Sequence, residues 1–318
     1  MYKNSVMFRL CLSGFLSALG LSSSLAFAQS PIEEIRGGEP VSPERYHAVV
    51  QFGSLSKDTN QNYTFFHLCV GTLISPKKVL TSAHCLVDAD TRAISTEDFY
   101  IAKSLNNKNV EKILPGLNLK TKKDLRDAGI ITRKISAGSW HVHPSFLTET
   151  EFAPGKYIDM AVLEFKKPIV KIDPMLIANK QVVQDIEPGT KLTAAGYGYY
   201  NGSRNLSDSL LYAELRSLST AECRRVALEM STEITLDNLR GVQICTYEKK
   251  KNTCMADSGA PLILVGADGS EKIVGVNSWS LQKDEKYCSG NYELDIYEKP
   301  VGHAAWVDSV SGLDYSIR

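Results

Sequence analysis

The sequence predicts an all-β protein, and three observations carry that expectation. Short runs of β-branched and apolar residues, bounded by turns rich in Gly and Pro, recur along the 318 residues, while long helical periodicities are few. The apolar fraction of 43% is that of a globular chain long enough to bury a sizeable core. Six cysteines remain once the N-terminal stretch is set aside, an even number that suits structural disulfides in an exported chain. Spacing alone does not choose among the possible pairings.

That N-terminal stretch reads as a secretory signal. Lys3 and Arg9 make a positive start, Leu10 to Leu21 is largely apolar, and Ala26-Phe27-Ala28 is a small-x-small cleavage site. Residues 1–28 are therefore expected to be removed, leaving a product in the periplasm or outside the cell. No later segment is long and apolar enough to span a bilayer. Lysine plus arginine equals aspartate plus glutamate at 36 each, a balance that argues against a nucleic-acid partner or an anionic membrane surface.

Taken in order, the elements begin with a turn at Gly37-Gly38 and a strand over Tyr46–Phe52. Phe65–Leu73 and Lys78–Thr81 are the next strands, the latter running into Ser82-Ala83-His84-Cys85. Residues 86–139 carry a lysine-rich run and a Pro115-Gly116 turn, which together suggest a solvated insertion. Ala161–Leu163 is a strand headed by Asp159. The stretch 166–187, with Pro168 and Pro174 in it, reads as a linker between two halves.

In the second half, Lys191–Gly198 and Leu210–Leu218 are strands. Ser219-Thr220-Ala221-Glu222 has capping-box spacing and opens a short helix carrying Cys223. Val242–Tyr247 is again strand. Leu262–Val265 and Lys272–Trp279 flank an Ala267-Asp268-Gly269 hairpin turn. Leu294–Tyr297 is the last strand, and Pro300–Val310 a terminal helix with Pro in its first turn.

Four places carry candidate chemistry. In Cys254-Met255-Ala256-Asp257-Ser258-Gly259-Ala260-Pro261 a serine sits among small residues that leave room for a substrate backbone, although such runs are also ordinary turns. His84 closes a strand beside a cysteine, a position equally suited to a structural histidine or a general base. Asp159 is able to orient an imidazole if buried against one. His141 and His143 share one strand face, but no third ligand accompanies them and no Cys-x-x-Cys pair exists, so no metal and no cofactor is expected.

Together these stretches resemble the trypsin/chymotrypsin-like serine proteases over roughly Ile35 to Val310. Cys69-Val70-Gly71-Thr72-Leu73-Ile74 with Val79-Leu80-Thr81-Ser82-Ala83-His84-Cys85 looks like the family's first disulfide hairpin and histidine motif. Asp159-Met160-Ala161-Val162-Leu163 is similar to its aspartate motif, Cys254 to Pro261 to its nucleophile loop, and Ser278-Trp279 to its substrate-binding strand. Ile35-Arg36-Gly37-Gly38 resembles the mature N-terminus. The order His, Asp, Ser is that of this family among the convergent triads.

The resemblance implies two packed antiparallel six-stranded β-barrels with the active site between them. It divides the chain into a signal (1–28), a short propeptide (29–34), an N-terminal barrel (35–170), a C-terminal barrel (171–312) and a tail (313–318). It implies the disulfides Cys69–Cys85, Cys223–Cys245 and Cys254–Cys288, and a catalytic set of His84, Asp159 and Ser258. The N–H groups of Ala256 and Ser258 would form an oxyanion hole, and Asp257 would pair with the ammonium of Ile35 after an activating protease cuts behind Glu34. The expected partners are thus a protein or peptide substrate and that activating protease.

Departures from the family pattern bear on rate and specificity. Ala256 and Ala260 stand where glycine is usual, and Arg36 stands beside the inserting terminus. Asn252 occupies the pocket-floor position, with Thr253, Ser278, Trp279 and Ser280 around it. Asp295 replaces a pocket-lining glycine and brings a negative charge suited to Lys or Arg before the scissile bond, unless it turns away or pairs with Lys299. A contrasting reading is a protease homologue with little or no turnover that serves as a secreted binding protein. The intact His84, Asp159 and Ser258 argue against it, and Ala256 argues for it.

Overall fold

Two sheets, antiparallel except where the short β9 joins β14 in parallel, each curl around an apolar interior and form the frame of the protein. The computed structural model describes residues 37–87, 93–148, 157–199, 205–230, 241–282 and 293–312. The signal and propeptide, Ile35, Arg36, Cys288 and the tail therefore lie outside the described residues.

The first sheet contains β2 (Val49–Lys57), β3 (Tyr63–Ser75), β4 (Lys78–Thr81), β5 (Phe99–Ser104), β6 (Ile130–Ile135), β7 (Trp140–Val142) and β8 (Ala161–Glu164). Its order is β6-β5-β2-β3-β4-β8-β7, a curled sheet whose two ends are not paired among the described residues. The second holds β1 (Glu39–Pro40), β9 (Leu176–Ile177), β10 (Lys191–Gly196), β11 (Leu211–Ser217), β12 (Gln243–Tyr247), β13 (Pro261–Val265), β14 (Glu271–Gln282) and β15 (Glu293–Glu298). The order β11-β10-β13-β14-β15-β12 returns to β11, so six strands close into a barrel. Closure leaves no strand edge within that ring.

Alternation drives both sheets. In β11 the burial of Leu211, Ala213, Leu215 and Ser217 against the outward Glu214 and Arg216 is the period-2 pattern of a sheet with one wet face. The largest apolar cluster joins the two halves: Val70, Leu73 and Leu80 of the first meet Ala195, Ile263 and Val276 of the second. Each fully buried Leu or Ile contributes roughly 1.5–3 kcal/mol through removal from water.

Three details differ from the expectations above. Glu39–Pro40, assigned with the first barrel, pairs with β11 of the second. A proline is tolerated there because β1 is an edge strand. The stretch 86–139 is not a solvated insertion: it supplies β5, β6 and the helices α1 (Val110–Leu117) and α2 (Lys122–Asp127). Val110, Leu114, Leu125 and Ile130 bury a small core of their own with Phe65 and Ala102. The Pro115-Gly116 pair lies inside α1 rather than in a turn, because the i, i+4 pair Val110 and Leu114 packs inward and outweighs the hydrogen bond that proline forfeits. A one-turn helix, α3 (Pro144–Thr148), follows β7, and the linker carries β9 and a further short helix, α4 (Lys180–Gln184).

Other local readings hold. Ser219 and Glu222 exchange the reciprocal bonds of a capping box at the start of α5 (Thr220–Met230), with Glu222 N–H to Ser219 Oγ at 3.1 Å and Ser219 N–H to Glu222 Oε2 at 3.1 Å. The disulfide Cys223–Cys245 ties that helix to β12, and Cys69–Cys85 joins β3 to the turn after β4. A 3₁₀ turn at Pro300–His303 leads into the terminal helix α6 (Ala304–Ser311). Among the described residues no helix is long and apolar enough to cross a membrane.

Candidate active site

The β4–β8 pair brings the first two candidate residues together. Thr81 pairs with Ala161 at the last register position, so the chain just past Thr81 and the chain just before Ala161 leave the sheet at the same end. The first departs through the 3₁₀ turn Ala83–Cys85 and delivers His84; the second delivers Asp159. His84 Nδ1 lies 2.7 Å from Asp159 Oδ2, and the His84 N–H donates to Oδ1 at 2.9 Å.

A carboxylate accepts only, so Nδ1 carries the proton and Nε2 is left with its lone pair. The Ser278 hydroxyl donates to Asp159 Oδ2 at 2.7 Å. Its aim comes from a register shift in β14 between Asn277 and Trp279, which turns Ser278 out of the ladder. Asp159 is completely buried, whereas a quarter of the His84 side chain is exposed. Burial opposes charging the His84 ring. The Coulomb attraction of Asp159 and its hydrogen bond outweigh that, so the pKa stands above the ordinary histidine value.

Ser258 reaches the same place through two consecutive turns. The Asp257 N–H donates to Cys254 O at 3.0 Å with Ala256 third at φ 68°, and the Ala260 N–H donates to Asp257 O at 2.8 Å with Gly259 third at φ 81°. Both have the type II pattern that favours glycine at the third position. Ala256 adopts it with a methyl group, at a cost on the order of 1 kcal/mol. Gly259 has a second reason: a Cβ there would lie 2.2 Å from Thr81 Oγ1 and 2.3 Å from Val70 O.

That close approach seats the loop on the first sheet. Val70 N–H donates to Ser258 O at 2.8 Å, and Cys85 Sγ lies 3.9 Å from the same oxygen. On the other side Gly259 N–H donates to Asn277 O at 3.0 Å. Ser258 is thus held between β3, the His84–Cys85 turn and β14. Neither the Ala256 nor the Ser258 N–H has an acceptor among the described residues.

Asp257 is completely buried and takes N–H groups from Gly198 at 2.7 Å and Cys254 at 3.0 Å. Burial pushes its pKa up to about 7 although those N–H groups pull the other way. The pattern Gly196-x-Gly198, read from sequence only as a strand end, has its cause here. A Cβ on either residue would come within 2.1 Å and 2.5 Å of the Asp257 carboxyl group. Ile35, the expected partner of Asp257, lies outside the described residues.

The pocket candidates gather beside this loop. Asp295 pairs with Ser280 across β14 and β15, and its carboxylate accepts from Thr253 N–H at 2.8 Å and Ser280 Oγ at 2.7 Å. Burial lifts it to about 6, with those two donors opposing. It does not turn to Lys299, whose Nζ donates instead to Gly241 O at 3.2 Å. Asn252 donates to Thr253 O, while its buried Oδ1 has no donor among the described residues. Trp279 packs at the edge of the same strand, partly buried. Cys254 is disulfide-bonded, and its expected partner Cys288 lies outside the described residues.

One contributor was not foreseen. His67 is buried, two residues before Cys69, and its Nε2 lies 3.0 Å from Ala256 O. Burial brings its pKa down to about 4 against the pull of that carbonyl, so the neutral ring donates from Nε2 and steadies the Ala256 peptide. The available signal was alternation: His67 shares an inward face of β3 with Phe65 and Cys69. Cys69, His84 and Cys85 also place ligand-type atoms together, but the two sulfurs are joined to each other and offer no thiolate. His141 and His143 do not converge on a third ligand among the described residues.

Comparison with known proteins matches residues 35–300 to the family model described as Trypsin. The chain is 33% identical to the serine protease Hayan of Drosophila melanogaster over 66% of this chain and 30% of that one. It is 24% identical to venom serine protease 34 of Apis mellifera over 72% of this chain and 50% of the relative. Human granzyme M is 25% identical over 93% and 94%. The chain therefore spans half or less of the length of the first two relatives and nearly all of the third.

Proposed function

The chain belongs to the trypsin family, and from that premise we propose that it is an exported serine endopeptidase using Ser258, His84 and Asp159. The observation that carries this reading is the buried Asp159 bonded to His84 at Nδ1, which leaves Nε2 free to act as a base beside the loop bearing Ser258.

Ser258 Oγ attacks the scissile carbonyl carbon as its proton passes to His84 Nε2. The imidazolium that forms is stabilised by Asp159, itself oriented by the Ser278 hydroxyl. Negative charge on the carbonyl oxygen is met by the N–H groups of Ala256 and Ser258, each such donor worth roughly 3–4 kcal/mol in related hydrolases. His84 then protonates the leaving amine, and water repeats the sequence on the acyl-enzyme to release the acid.

Preference for Lys or Arg before the scissile bond has physical support in the pocket. Asp295 is a buried carboxyl group and Asn252 Oδ1 a buried acceptor without a donor among the described residues. A cationic side chain satisfies both and draws the proton from Asp295. Activation by a cut after Glu34 would bring the Ile35 ammonium to Asp257. Asp257 is costly to ionise alone, and that cation offsets the cost.

The test is fluorophosphonate labelling of secreted protein beginning at Ile35. The expected result is labelling that disappears in Ser258→Ala. Absence of any Ser258-dependent labelling or peptide cleavage would favour the binding-protein reading, for which the strained Ala256 is the supporting observation.

A further inference from the structure

Away from His84 and Ser258, a groove of about 420 Å³ runs between β6 and the segment 166–171. It shares no lining residue with the site above. The Arg133 guanidinium spans the two walls, donating to Lys167 O and Pro168 O at 2.8 Å each. Around it stand Lys122, Arg126, Lys166, Lys167 and Lys171, and among the described residues no carboxylate lines the groove. None of these five has an ion-pair partner among the described residues; of the lining cations only Lys134 does, with Asp98.

In a chain with 36 basic and 36 acidic residues, such segregation is a local choice and not a general excess. The groove is also apolar between its cations: Tyr100, Leu105, Ile131 and Ile169 contribute to the lining, and Val170 is 82% exposed. An exposed valine among lysines is an apolar contact surface within a field of positive charge. Finally, β6 ends the first sheet and is paired only with β5 among the described residues, leaving its outer edge open to an added strand.

We propose that this groove docks an extended acidic peptide segment with interspersed apolar side chains, carried by a protein partner. Carboxylates face the lysines and arginines, apolar side chains cover Ile131 and Val170, and the peptide backbone follows β6. A nucleic acid or sulfated polysaccharide would use the charge and leave the apolar surface uncovered, so the protein segment is the better fit. The inference concerns binding alone and does not depend on turnover.

The test is fluorescence anisotropy of the full-length secreted protein with a labelled decapeptide alternating glutamate and leucine. The comparison ligands are a glutamate–serine peptide, a lysine–leucine peptide, heparin and a short DNA duplex. Expected are micromolar binding of the first peptide alone and at least tenfold weakening in Lys167→Glu/Lys171→Glu. Similar weakening is expected in Val170→Asp, and loss of affinity on raising salt. All variants sit on the surface, and unchanged melting temperatures establish that they fold. Equal binding of the glutamate–serine peptide, tighter binding of heparin or DNA, or no response to Val170→Asp would overturn the proposal. Thermal melts and fluorophosphonate labelling run alongside, so failure here is distinguishable from failure of the protease reading.

Discussion

Lys103 places a cationic residue type in the protein interior. It is 1% exposed, and its Nζ meets Asn107 Oδ1 at 2.6 Å and the Tyr197 hydroxyl at 3.1 Å, both neutral groups. Burial brings its pKa down to about 7. The folded-state value lies below the unfolded one, so the cost of holding the charge is greatest below pH 7. That cost, on the order of 5 kcal/mol at pH 6, is relieved as pH rises toward 10.5. Lys103→Met is therefore expected to raise the melting temperature at pH 6, with the gain shrinking by pH 10; a gain that ignores pH would contradict this account. Ala256 yields a second prediction at the same scale. Ala256→Gly relieves the φ of 68° and is expected to raise stability by about 1 kcal/mol in denaturant titration while leaving Ser258 labelling intact. Lys103 does not announce its environment in the linear chain, where it looks like any strand lysine, whereas Ala256 was legible as a misfit once the nucleophile loop had been aligned with its family.

Among the elements, the turn Asp257-Ser258-Gly259-Ala260 is the one on which both halves converge. Gly259→Ala drives a Cβ into Thr81 Oγ1 and Val70 O, with a φ that already disfavours a side chain. A loss above 3 kcal/mol, with loss of Ser258 labelling, is the expected outcome. By contrast, the Cys223–Cys245 bond, 22 residues apart, holds α5 against β12 away from His84. Replacing both cysteines with alanine should cost about 3 kcal/mol of stability and leave labelling unchanged. The strands were largely readable because burial on one face imposes a period of two. The stretch 86–139 was not, since its lysine run and the Pro115-Gly116 pair read as loop signals, while Val110, Leu114, Leu125 and Ile130 are spread over three elements and become one core only by packing on Phe65 and Ala102.

For the whole molecule, pH separates the buried groups. Asp257 titrates near 7 in the fold and near 4 when unfolded, so its contribution to stability is present at low pH and is lost as pH rises from 4 to 7. Protein beginning at Gln29 should show that loss, and protein beginning at Ile35 should not, because an inserted ammonium stabilises the carboxylate. Identical profiles for the two forms would sink the activation proposal. The activity profile adds an independent check. His84 must be neutral to accept a proton, so the acid limb of kcat/KM is expected above pH 6.5, and Asp159→Asn should depress the rate at every pH.

The linear chain by itself determined the all-β class, the strand periodicities, the capping box at Ser219 and, through ordered motifs, the family and the residues to suspect. These are local properties, written in spacing and residue type. What only the tertiary structure decided is where the suspects meet. It brings Asp159 onto the His84 imidazole and Ser278 onto Asp159, packs Asp257 against Gly196 and Gly198, sets His67 behind Ala256 and gathers lysines from distant segments around one groove. Each of those contacts joins residues far apart in the chain, and burial and hydrogen bonding act on distances in space, which spacing in sequence does not encode.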